Sequence, residues 1–291
     1  MSYTFELGTE DILDTYIGDE TTAALEYAEV MQRARRSDTA ASIARDLMME
    51  PRRVARYLSG SKPRGLKGVE ELEGLGLFPT GLEHENFDLF HTLSCITYWR
   101  GFVAERNESQ STLANTVWSP TTPEQRDFME AFLNRANIPY RNITKGGISL
   151  PNEVSRLMLA SGHGVGEKSS SEGTVPRYIQ TAVESYSEES SERHLALITD
   201  FVRSMIFFRL KEYGDESLVH LFSLRDEDRA AAQGELIWRS VQIGLPNVKT
   251  TLRGPYPSEG TFHYRIGFPV DQIVSSIKST YAEEALRKLA P

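Results

Sequence analysis

Three arginines, Arg52, Arg53 and Arg56, crowd one short helical stretch, and three further cations, Lys62, Arg64 and Lys67, follow within eleven residues. Guanidinium groups on the first turns of a helix suit the base edges of a major groove, and cations in a linker suit phosphates. Arg45 lies one helix earlier. A second group comes from alternation, which puts every other residue of a strand on one face. Lys249, Thr251 and Arg253 share a face, and across a Gly254–Gly260 loop His263 and Arg265 share another, with Phe262, Tyr264 and Ile266 opposite. The counterpart near residue 140 is weaker: Arg141 and Lys145 fall on one alternation, and Asn115 and Thr116 lie in the strand before it. Donors of this kind recognise anions and bases. The single cysteine, Cys95, excludes a disulfide framework and a Cys-based zinc site, and the six histidines lack metal-ligand spacing. No cofactor or metal is expected.

A net charge of −9 argues against a nucleic-acid partner only if charge is spread evenly, and it is not. Residues 1–30 carry eight acids and no Lys or Arg, whereas residues 31–70 carry ten Lys or Arg against four acids. A compact basic segment in an acidic chain is the footprint of a nucleic-acid contact. The acidic first 30 residues are expected to mask that segment, to self-associate or to bind a protein partner. No stretch is apolar over the ~20 residues that cross a bilayer, and the N-terminus lacks a basic signal-peptide end, so a cytoplasmic protein with no membrane partner is expected, associated with the nucleoid in a prokaryote.

Two short helices must position the first group. Ile43, Ala44 and Leu47, then Val54, Tyr57 and Leu58, recur at helical spacing on either side of Met48-Met49-Glu50-Pro51, with Glu50 as cap and Pro51 at the first helical position. Gly60 ends the second helix. This is similar to the helix-turn-helix of phage-repressor and LacI-type regulators. Residues 61–68 read as a basic linker broken by Gly and Pro, leading to a short helix within 69–79.

Beyond residue 85 one pattern occurs twice. The first copy has a helix at 87–104, a strand at 112–118, a helix at 122–136 and extended residues at 140–150. The second has a helix at 193–212, a strand at 217–223, a helix at 226–243, paired strands at 247–253 and 261–268, and a helix at 270–288. Ile138-Pro139 and Leu245-Pro246 lie 107 residues apart, and Arg100 and Arg209 lie 109 apart.

Over residues 70–290 the chain resembles the LAGLIDADG homing endonucleases. Leu75-Gly76-Leu77-Phe78-Pro79 matches a Leu-Gly-Leu-Leu-Pro element of that family. Gly162 to Ser169 with Pro176 to Ile179 matches its inter-repeat stretch, and Phe201 to Leu210 its second signature helix; Ser94 to Gly101 matches the first less well. The resemblance implies an α+β chain: an N-terminal helix-turn-helix domain (1–79), then two LAGLIDADG-like αββαββα repeats (80–180 with a connector, and 181–291) in pseudo-twofold arrangement. It also implies divalent metals held by one acid at the end of each signature helix, where this chain has Arg100 and Arg209. A guanidinium donates but has no lone pair for a metal. Glu105, Glu108, Glu212 and Asp215 stand further on as displaced acids. The expectation is therefore a sequence-specific binder of double-stranded DNA, a transcriptional regulator with a catalytically inactive homing-endonuclease-like body. An active nuclease using the displaced acids and a maturase-like RNA-binding protein are the alternatives.

Overall fold

The chain is described, in a computed structural model, over residues 3–16, 18–36, 38–104, 115–166, 174–213, 216–269 and 272–289. It mixes helices with antiparallel sheets and divides into two compact units, Leu7–Pro79 and a body made of Met1–Glu6 and Thr80–Pro291. Among the described residues no helix is long and apolar enough to cross a membrane.

After a two-residue strand, β1 (Glu6–Leu7), the smaller unit is five helices: α1 (Thr9–Leu13), α2 (Glu20–Arg35), α3 (Ala40–Asp46), α4 (Pro51–Leu58) and α5 (Arg64–Gly74). Thr39 caps α3 by accepting from the Ser42 N–H at 3.2 Å. Pro51 opens α4, where its missing N–H costs nothing, although Glu50 gives no side-chain cap. Between them Met48 takes φ 52° and the Met49 N–H returns to the Ala44 carbonyl at 2.9 Å. Val30, Ile43, Ala44, Val54 and Tyr57 form the core of these helices, with Leu47 packed against it. Of the three apolar positions expected on α4, Val54 and Tyr57 are buried and Leu58 is exposed.

The expected linker at 61–68 is corrected: helix begins at Arg64, straight after Pro63. Gly65 and Gly68 do not break α5 but let it approach its neighbours. A Cβ on Gly65 would lie 2.4 Å from Leu13 Cδ2, and one on Gly68 1.9 Å from the Tyr16 hydroxyl.

The body opens with β2 (Thr80–Gly81) and α6 (Phe87–Arg100), then β3 (Gly101–Val103), β4 (Thr116–Trp118), α7 (Pro123–Arg135), β5 (Arg141–Asn142), β6 (Ile148–Ser149) and α8 (Asn152–Ala160). After α9 (Arg177–Ser185) the series recurs as α10 (Glu192–Arg209), β7 (Leu210–Tyr213), β8 (Glu216–His220), α11 (Glu227–Gly244), β9 (Thr251–Ser258), β10 (Thr261–Pro269) and α12 (Gln272–Lys288). Both four-stranded sheets place their strands in the same order, β3-β4-β6-β5 and β7-β8-β10-β9.

Every residue of α6 from Phe90 to Trp99 is buried, which is why that helix shows no amphipathic stripe. Several of its polar side chains are satisfied inside: His91 meets the Tyr178 hydroxyl at 2.9 Å and the Leu197 carbonyl at 3.0 Å, and Thr97 Oγ1 accepts from Trp118 Nε1 at 2.9 Å, whereas the buried Trp99 Nε1 finds no partner among the described residues.

Several boundaries are corrected. The leading helices stop at Arg100 and Arg209, not at 104 and 212, because the chain turns straight into β3 and β7. Gly101 makes the first turn feasible, since a Cβ there would lie 2.6 Å from Trp118 Cδ1 and 2.7 Å from the Val117 carbonyl oxygen. The strand expected at 112–118 is β4, Thr116–Trp118, with 112–114 outside the described residues. The strand expected at 247–253 runs instead from Thr251 to Ser258, and the expected loop shrinks to a turn at Glu259 and Gly260, both with positive φ. Pro255 and Pro257 fit because β9 is an edge strand, and Gly254 at φ 142° takes the bulge.

Candidate nucleic-acid interface

In the smaller unit the expected readers separate. Arg53 turns back onto its own unit: it pairs with Glu26 at 2.5 Å, donates from Nε to the Tyr57 hydroxyl at 3.0 Å and lies over the Tyr57 ring. Hydrogen bonding to Tyr57 and the nearby Glu26 raise its pKa further. Arg52 and Arg56 are exposed, and their side chains make no ion pair or hydrogen bond among the described residues. Arg45, 80% exposed, lies 3.6 Å from Asp46. Lys62 pairs with Glu70, Arg64 lies over the Tyr16 ring at 5.9 Å, and Lys67 is exposed. Residue order alone hides this sorting, because Glu26 stands 27 residues before Arg53.

In the body Arg100 reaches the end of the helix that carries Arg209, near enough for the two charges to repel. Arg100 donates to the Phe208 carbonyl, an orphan acceptor at the C-terminus of α10, where a cation is also favoured by the helix dipole. Gln125 donates to the same carbonyl at 3.2 Å. Arg209 donates to the His220 carbonyl at 2.9 Å and lies 4.6 Å from the Phe222 ring centre. Burial, reinforced by Arg209, lowers the Arg100 pKa to about 10, and burial lowers that of Arg209. Gln125 and Gln233 are an exchange that sequence reading missed. Gln125 of the first copy reaches α10, and Gln233 of the second donates to the Tyr98 hydroxyl on α6 at 3.0 Å. Their separation of 108, close to the 109 between the arginines, was the available signal.

The second sheet presents the richer face. Antiparallel register sets Arg265 opposite both Arg253 and His220, so β8, β9 and β10 contribute to one row. On the other face Ile266 and Phe268 are buried, and Tyr264 packs on Gly234 of α11. A bulge between His263 and Arg265 breaks strict alternation, yet the His263 ring still lies 6.2 Å from His220 and 5.5 Å from Tyr256. Thr251 is exposed, and Lys249 is exposed but precedes the strand instead of sharing its face. Arg253 is held by Glu216 at 2.6 Å. That pair crosses β10 over Gly267, where a Cβ would lie 2.7 Å from Thr251 Oγ1 and 2.9 Å from Glu216 Oε1. His220, Lys211 and Tyr213 were missed; the alternation of Glu216, Leu218 and His220 with the buried Ser217 and Val219 was the signal.

The first sheet is poorer. Arg141 is exposed on edge strand β5, whereas Thr116, expected on the polar face, is buried with its hydroxyl 3.0 Å from that of Ser155. Asn115 donates to the Ser149 hydroxyl at 3.0 Å. Lys145 falls in a 3-10 turn, and its side chain lies outside the described part. Glu105, Glu108 and Asp215 also lie outside the described residues, and Glu212 is paired with Lys278 at 3.0 Å. No protein-family model, curated protein or solved structure matches the chain.

Proposed function

We propose that the chain binds double-stranded DNA as a sequence-specific transcriptional regulator, with α3 and α4 as its helix-turn-helix and the body as an inactive LAGLIDADG-like scaffold. The observation that carries the reading is the sorting on α4: Arg53 is tied down inside the unit, while Arg52 and Arg56 project unpaired from the same short helix. Two guanidinium forks held on a packed helix are the chemistry that reads guanine edges in a major groove.

Support for the scaffold comes from the repeated helix-strand-strand-helix-strand-strand-helix order and the common strand order of both sheets. The divalent metals of active homing endonucleases do not fit the residues at the two helix ends. Arg100 and Arg209 offer only donors, already given to the carbonyls of Phe208 and His220, and their charge repels a cation.

Selection of bound duplexes from a random library tests the reading. An enriched motif lost in the Arg52→Ala/Arg56→Ala double variant is expected. Equal retention of all duplexes, or cleavage of them in Mg²⁺, overturns it, and preferential retention of RNA points to the maturase-like alternative.

A further inference from the structure

The open face of the second sheet gathers positive charge that its own acids do not answer. His220 on β8 stacks on His263 of β10 at 18° between ring planes, and Arg265 lies 4.5 Å from the Tyr256 ring centre on β9. Lys211 and Tyr213 of β7 flank His220, and Arg209 at the end of α10 holds its carbonyl. The two acids carried by the four strands are both engaged, Glu216 with Arg253 and Glu212 with Lys278. His220 Nε2, His263 Nδ1 and Arg265 Nε are buried atoms that find no hydrogen-bond partner among the described residues. Cations and cationisable rings crowded in this way repel one another until an anion joins them.

We propose that His220, His263 and Arg265 form a phosphate-binding site that takes up protons as it binds, so that the body grips a phosphodiester backbone more tightly as the pH falls towards 6. The ligand chemistry is a phosphate oxyanion, and its assignment to nucleic acid rests on the DNA-binding reading above. Without an anion, burial first and then Arg265 hold both imidazoles below their ordinary pKa, with Lys211 and Arg209 adding to the effect on His220. At pH 7.5 the rings are therefore neutral and only the fixed cations attract. A bound phosphate reverses the balance by favouring the imidazolium, and linkage requires that protons favour phosphate equally.

The test uses the full-length chain. Histidine ring signals are followed by NMR from pH 8 to 5.8, with and without inorganic phosphate at constant ionic strength. Affinity for a random-sequence duplex is measured over the same range. Phosphate is expected to raise the titration midpoints of His220 and His263. Duplex affinity is expected to rise about three- to tenfold between pH 7.5 and 6, a proton-linked gain of up to tenfold per pH unit for each proton bound. In the His220→Gln/His263→Gln variant that rise should disappear. Midpoints unmoved by phosphate overturn the site, and this reading needs no variant to fold. A pH-dependent rise that survives in the double variant also overturns it, leaving DNA binding through α4 intact. Midpoints moved by phosphate in a chain that binds no duplex keep the site, assign it to free phosphate and remove the DNA reading instead.

Discussion

Arg52, Arg53 and Arg56 share a side-chain type and a helix, and what separates them is the company each keeps. Arg53→Ala removes the Glu26 pair and the Tyr57 hydrogen bond, so the smaller unit should lose about 1–3 kcal/mol in a urea titration, the sum expected of a half-exposed ion pair and one charge-assisted hydrogen bond. Arg52→Ala and Arg56→Ala should leave stability within roughly 0.5 kcal/mol, as surface changes do. Each should instead weaken binding to the selected duplex by about 1–3 kcal/mol, the usual size of a lost base contact. A destabilised Arg56→Ala protein with unchanged binding contradicts the assignment.

At the level of elements the glycines of α5 carry two opposite expectations. Gly65→Ala gains helix propensity but drives its Cβ into Leu13 and Glu20, so a net loss of about 1–3 kcal/mol is expected from overpacking. Gly74, where an added Cβ would meet nothing within 4 Å, should accept Ala with a gain of up to about 1 kcal/mol. Thermal melts of the two single variants decide, and a stabilised Gly65→Ala chain refutes the close approach. Gly65 and Gly68 explain why residues 61–68 read as a linker, since sequence distinguishes a glycine that breaks a helix from one that lets it pack only when the neighbour is known. The α3 and α4 spans were legible because their apolar residues repeat at 3.6, and the doubling in the body was legible from proline and arginine offsets. Strands of two to four residues such as β3, β5 and β7 hold too little alternation to stand out beside the buried helices before them. The prolines of β9 read as loop because edge position, which tolerates them, is a property of the sheet. At the candidate interface the residue types were visible, but Arg53 turned inward and the ring of cations around His220 depend on partners far away in sequence.

For the molecule as a whole, acid should be the weak side. Burial pushes the His91 pKa down to about 4, against an ordinary 6.5 in the unfolded chain. The unfolded state takes up this proton below pH 6.5 and the folded state does not until about pH 4, so stability present above 6.5 drains away across that window, by up to roughly 3 kcal/mol. Urea midpoints at pH 7.5, 5.5 and 4.5 should fall in that order, less steeply in His91→Gln; midpoints flat with pH are incompatible with a neutral, buried ring. The division of the chain also sets a timetable. The Leu7–Pro79 unit is spliced between residue 6 and residue 80 of the body, and the core of α2, α3 and α4 is complete once Tyr57 has been made. Tyr3 and Phe5 belong instead to the body: the Tyr3 ring lies against His194, its hydroxyl donates to the Tyr178 carbonyl, and Phe5 packs between Phe90 and Tyr178. A ribosome adding ~5–20 residues per second takes roughly 10–40 s to travel from Tyr3 to His194. The earliest residues off the ribosome are thus among the last to be buried, and from the completion of α6 at Arg100 until α10 follows, the apolar length of α6 waits uncovered, open to chaperones or to a neighbouring nascent chain.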